Sequence, residues 1–286
     1  MRSIVRHATC LLTIVAAACA GGSQAIAGQM TPRAAIAGLP YQAALVAGDG
    51  SLPVFDNATD AMLDRLLARR AAPGDVQRLG DVQRLGDVQR LSAASGVIGR
   101  DRMRTATLGH VVAAIAALHP SPGQGCLVYA TSHGAAGRGL YLAPSEGFLT
   151  PAALDRALVR GCGDAPTLVI VSGCFSGSFA NPPMSRANRI VLTAARQDRA
   201  SFGCGAGREF TVYDACLLAA LDNASTWRRA YRSVRTCVTR AERGSGFPPS
   251  GPQAYFGPDV ANLSTGLTTP SLPRIGRSVG DGGRAR

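Results

Sequence analysis

The chain contains no lysine: all 30 of its basic residues are arginine. Against 18 acidic residues they give a formal net charge of +12. The arginines are scattered, with one mild cluster at Arg228, Arg229, Arg232 and Arg235. A nucleic-acid binder concentrates its basic charge on one face or arm, so nucleic acid is not an expected partner. Aromatic residues are also scarce, at 5 %, and Trp227 is the single tryptophan. That leaves little for a base-stacking or sugar-stacking surface. No apolar run reaches the ~20 residues that a membrane-spanning helix needs. There is no C-x-x-C pair, and beyond residue 27 the histidines are His110, His119 and His133 alone. A zinc site therefore lacks a ligand set, and neither a metal nor another cofactor is expected. The G-x-S-x-G elbow of serine hydrolases is absent too, because the second residue after Gly173 is Phe175. This argues against a serine mechanism through Ser176 or Ser178.

What is present describes a folded, exported chain. Hydrophobic residues make up 46 % and charged residues 17 % of 286 positions, enough for one large domain or two small ones. Arg2 and Arg6 precede an apolar stretch from Ala8 to Ala20, and Ala25-Ile26-Ala27 offers a small-x-small cleavage site. This is the layout of a secretory signal peptide over residues 1–27. The expected location is periplasmic or secreted, with membrane attachment only if the chain is lipidated at Cys19. Export makes disulfides stable. Six of the eight cysteines lie beyond the signal: Cys126, Cys162, Cys174, Cys204, Cys216 and Cys237. They can form three bridges, or two with one thiol over and one reserved for chemistry. Cys216 and Cys237 fall on two predicted helices and are one candidate pair. Cys204 either pairs with Cys162 or lines the site.

Apolar runs alternate with helical patterns along residues 28–262. Tyr41 to Ala47, Cys126 to Thr131, Thr167 to Ser172 and Arg189 to Ala194 read as buried strands. Helices are predicted from an Asn57 cap to about Arg70, over Leu108 to Leu118, from a Thr150-Pro151 start to Gly161, and near 210–221 and 226–243. Continuous apolar strands separated by helices imply an α/β fold with a mostly parallel sheet covered on both faces. A tandem repeat, GDVQRL three times over residues 74–91, has a glycine every sixth residue that breaks a helix, and reads as an inserted surface loop. From residue 263 the chain is rich in Pro, Gly, Ser and Arg, and a disordered tail is expected.

In such sheets chemistry sits beyond the carboxyl ends of the strands. One strand ends in Thr131-Ser132-His133-Gly134, and another in Ser172-Gly173-Cys174. Histidine serves as general acid and base, and cysteine as nucleophile. The flanking glycines admit a substrate backbone, and the amides of Gly134 and Cys174 are placed to bind an oxyanion.

The segments CLVYATSHGAAGRGLYLAP and PTLVIVSGCFSGSFA resemble the legumain family of cysteine peptidases, within the wider caspase-like fold. VAGDGSLPVFDNATD, RIVLTAARQDRASFGCG and PQAYFG agree with bacterial exported members. The resemblance runs from about Tyr41 to Asp259. It implies His133 as the catalytic histidine, Cys174 as the nucleophile, the Gly134 and Cys174 amides as the oxyanion hole, and a peptide or protein as substrate. Three family features depart. The asparagine that steadies the histidine in legumains is matched by Gly50, with Asp49 beside it. The pocket glutamate two residues before the cysteine is matched by Ser172. A later pocket aspartate corresponds to Asp214, one residue short in spacing. Ser172, Asp214 and Asp49 are thus the candidate substrate-binding residues. The activity class carries over better than a preference for asparagine. The rival readings are a transamidase, in which an amine replaces water in the second step, and a binding or scaffold domain that keeps the fold without turnover. Oligomeric state is not legible from the sequence.

Overall fold

The computed structural model describes residues 39–68, 88–94, 104–205 and 207–266. The expected signal peptide, the first two copies of the repeat and nearly all of the expected tail lie outside the described residues.

Seven strands form the main sheet. In chain order they are β1 (Tyr41–Ala47), β2 (Val88–Ser92), β3 (Arg104–Thr105), β4 (Gly125–Thr131), β8 (Thr167–Ser172), β9 (Arg189–Thr193) and β10 (Gln253–Phe256). Their order across the sheet is β10-β9-β8-β4-β1-β2-β3. Every pairing is parallel except β9 with β10. A second, antiparallel sheet of β5 (Gly134–Ala135), β6 (Gly139–Leu142) and β7 (Gly147–Leu149) follows directly on His133. The α/β class and the mostly parallel sheet expected from the sequence are thus observed.

The alternation of side chains along each strand builds two cores. Ala43, Leu45, Leu127, Tyr129, Leu168, Ile170 and Leu192 point to one face. There they meet α1 (Val54–Ala68), α4 (Val212–Leu221) and α5 (Trp227–Ala241). Ala44, Val46, Val128, Ala130, Val169 and Val171 point to the other face, against α2 (Leu108–Ala116) and α3 (Pro151–Cys162). Burial on both faces is the reason the strands read as continuous apolar runs. Capping fixes several helix starts: Thr107, Thr150, Thr211 and Thr226 each accept a hydrogen bond from the backbone N–H three residues on.

Three expectations need correction. Asn57 does not cap α1, which begins three residues earlier; its side chain lies inside the helix and donates to the Glu209 carbonyl at 2.9 Å. The last repeat copy is not loop. Its Val-Gln-Arg-Leu is the body of β2, parallel to β1, with Ala43 opposite Val88 and Val46 opposite Leu91. Leu91 is buried, and Arg90 pairs with Asp60 of α1. Helical and strand periodicity does not show it because the strand has only five residues, and among the described residues Leu91 is its one buried hydrophobic. Finally, Cys162 pairs with Cys126, not with Cys204, while Cys216 and Cys237 do pair and join α4 to α5. Among the described residues Cys174 and Cys204 remain free thiols, and no helix is long and apolar enough to cross a membrane.

Candidate active site

β4 and β8 are direct neighbours, and Thr131 stands opposite Ser172 in their register. His133 and Cys174 are each two residues beyond that pair, so equal overhangs bring them to the same sheet edge. The Gly134 and Cys174 backbones touch. A Cβ built on Gly134 would lie 2.0 Å from the Cys174 carbonyl oxygen, and one on Gly173 would lie 2.8 Å from the Ser132 carbonyl oxygen. Only glycine fits either place. After Cys174 the chain turns sharply through Phe175, at φ +59°, a left-handed conformation uncommon for a bulky residue and concentrated at functional sites. That turn presents the thiol at the tip of the strand. Ser176 is spent inside it: its buried hydroxyl accepts from the Ala194 and Ala195 amides, so it is not an alternative nucleophile.

The Cys174 sulfur is held by a residue that sequence reasoning did not single out. The Ser201 N–H donates to Sγ at 3.3 Å, and the thiol faces the Ser201 carbonyl at 3.5 Å. His133 is partly exposed, and its ring packs edge-on against Phe55, centroid to centroid 5.2 Å. Asp49, expected to touch substrate, sits against the histidine instead. Its Oδ2 lies 3.9 Å from His133 Nε2, while Oδ1 accepts the Ser51 N–H at 2.7 Å. The carboxylate belongs to the residue before Gly50, the position matched to the legumain asparagine.

A narrow cavity opens between these groups. It is lined by Phe55, Ser132, His133, Ser172, Gly173, Cys174, Ser201, Phe202, Cys204 and Thr211. Ser172 is in its wall; Asp214 and Asp49 are not. Asp214 is fully buried one layer beneath. Its carboxylate accepts from the Tyr129 hydroxyl at 2.6 Å, from Thr131 at 2.9 Å and from Thr211 at 2.8 Å. Burial pushes its pKa up, and the hydroxyls of Tyr129, Ser172, Thr211 and Thr131 oppose the rise. The pocket wall is thus a set of neutral hydroxyls backed by a buried carboxyl. The signal for this was in the sequence: residues 129, 131 and 172 share the strand face that meets α4. Phe55, Ser201 and Thr211 come from loops and helix starts, whose placement strand periodicity does not encode. Among the described residues no group of three His, Cys, Asp or Glu side chains is placed to hold a metal ion.

The model of the peptidase C13 family matches residues 109–257, more than half of the chain, including both strand ends and the loop carrying Ser201. The chain belongs to the peptidase C13 family. It is a cysteine peptidase, and the legumain resemblance of its motifs agrees with that membership. Among solved structures this C13 peptidase is similar to caspase-1 from Spodoptera frugiperda, at 14 % identity and a TM-score of 0.49, with 77 % of this chain and 88 % of that chain covered. No curated protein matches it.

Proposed function

We propose that the protein is an exported endopeptidase that works through Cys174 and His133 by way of an acyl-enzyme. The observation that carries this reading is the shared register: Thr131 opposite Ser172 puts the histidine and the cysteine at one edge. On substrate binding His133 takes the thiol proton, and the Cys174 sulfur attacks the peptide carbonyl carbon. The amides of Gly134 and Cys174 receive the developing oxyanion. The Ser201 N–H steadies the thiolate before attack. His133 then gives its proton to the leaving amine, and the C–N bond breaks. Water enters, His133 accepts its proton, and the thioester is hydrolysed to release the acid and restore the thiol. Asp49 Oδ2 lies 3.9 Å from His133 Nε2, beside the imidazolium that forms in each half-reaction. The two disulfides support a location outside the reducing cytosol, as does the N-terminal signal pattern.

The test is replacement of the two groups. Cys174→Ala and His133→Ala should each lower kcat/KM on a peptide library by about three orders of magnitude or more, with the melting temperature unchanged. Ser176→Ala, removed from the chemistry, should keep its turnover per folded molecule. Normal turnover by Cys174→Ala would sink the assignment. Product masses separate hydrolysis from transfer to an amine.

A further inference from the structure

We propose that Cys174 and Cys204 form a reversible thiol–disulfide switch driven by low-molecular-weight disulfides. The proposal rests on Cys174 being the nucleophile. Four of the six described cysteines are already joined, Cys126 to Cys162 and Cys216 to Cys237. The two that stay free, Cys174 and Cys204, are both half-buried and both line the one narrow cavity. Cys204 packs on the small cluster of Ala47, Val54 and Phe55, and Phe55 is the ring against His133. Cys204 therefore belongs to the same wall as the catalytic histidine, with the nucleophile in the same cavity.

The loop that carries Cys204 already touches the nucleophile. Ser201, at its start, already binds the Cys174 sulfur through its N–H. Cys204 stands between Gly203, at φ +97°, and Gly205. Neither cysteine is fully buried, and a small disulfide approaches each from its exposed side.

The chemistry balances with a small disulfide as the oxidant. The Cys174 thiolate attacks one sulfur of the small disulfide, whose S–S bond breaks, and the departing thiolate takes up the proton Cys174 gave up. Cys174 is left as a mixed disulfide. The Cys204 thiolate then attacks the Cys174 sulfur, and the second small thiolate leaves with the proton from Cys204. Two protein thiols are oxidised and one small disulfide is reduced to two thiols. The product has no free nucleophile and a cross-link across its cavity. The peptidase is latent where small disulfides prevail and active where small thiols do.

The experiment incubates the wild-type chain and Cys204→Ser with oxidised glutathione, followed by peptide mapping without reduction and by peptide-cleavage assays. The wild type should yield a Cys174–Cys204 cross-linked peptide, release two glutathiones per chain, lose at least about tenfold in activity, and recover with a dithiol reductant too mild to open the other two bridges. Cys204→Ser should stop at glutathione bound to Cys174. Wild type that stops at the same mixed disulfide, or that shows no reaction at Cys174, overturns the switch. A chain that forms the cross-link but never cleaved peptides beforehand keeps the thiol pair and overturns the peptidase reading instead.

Discussion

Two buried aspartates at opposite ends of the sheet are held in opposite ways. Asp155, on α3, receives two hydrogen bonds from Arg186 at 2.9 Å and one from Arg189, at the start of β9, at 2.7 Å. Burial by itself would raise its pKa, but the hydrogen bonds and charges of the two arginines overcome that and hold it low. Asp214, under the carboxyl edge, has only hydroxyls around it, and burial wins. The end of the sheet without chemistry neutralises its carboxylate with full charges. The end that carries the candidate site surrounds its carboxyl with hydroxyl dipoles instead. A buried carboxyl stands without a countercharge beside the candidate site, and is paired with two guanidiniums at the other end of the sheet.

The largest stability effect should fall on the paired end. Asp155→Asn strands Arg189, whose side chain is 2 % exposed, as an uncompensated buried charge. The expected loss is about 3–5 kcal/mol, read by denaturant unfolding, with unchanged turnover by the molecules that remain folded. Asp214→Asn should cost less, about 1–3 kcal/mol, because neutral hydroxyls reorient more readily than a guanidinium. Unlike Asp155→Asn, it should lower kcat/KM by about tenfold and shift the side-chain preference, since Ser172 and Thr211 lose the group that orders them. Equal stability losses, or equal activity losses, would break the comparison.

The same contrast sets opposite pH slopes. The Asp155 pKa is lower in the folded chain than unfolded, so its stabilisation is present above the ordinary carboxylate range and is lost as pH falls through the folded value. The Asp214 pKa is raised by folding, so its contribution is fully present below the ordinary value and is lost as pH rises through the folded value. Unfolding curves between about pH 3 and pH 7 should therefore show the penalty of Asp155→Asn shrinking toward acid and that of Asp214→Asn shrinking toward neutrality. Parallel slopes would mean that the two carboxyls do not differ as described.

The strand ends were the legible part of this molecule. Tyr41 to Ala47 and Thr167 to Ser172 were read to the residue, because a strand buried on both faces has no polar interruptions. His133 and Cys174 follow from those ends. Contacts between distant segments were less legible. Asp49 was assigned to substrate because one residue of offset in a turn separates contact with a ligand from contact with His133. Asp214 was placed in the pocket wall because spacing along α4 does not say which layer a side chain occupies. The hydroxyls that surround it come from β4, β8 and the N-cap of α4 itself. β5 to β7 escaped because strands of two to four residues carry too little pattern to read.

The smallest expected effect concerns β2. Its residues are one copy of a unit present three times, and Val-Gln-Arg-Leu is identical in each copy. Removing six residues, Gly74 to Leu79, leaves a chain in which Gly-Asp still precedes every remaining Val-Gln-Arg-Leu. The β2 sequence, its pairing with β1 and the Arg90 contact with Asp60 are all preserved. What changes is the length of chain between α1 and β2, and loop-closure entropy varies only with the logarithm of that length, about 0.3 kcal/mol here. The deletion should therefore leave the unfolding midpoint and kcat/KM unchanged within error. A Leu91→Ala substitution should cost about 2–4 kcal/mol by opening a cavity beside Val46. If deleting one copy proved as harmful as Leu91→Ala, the other copies would have to contribute contacts of their own, and β2 would not be the part of the repeat that the fold uses.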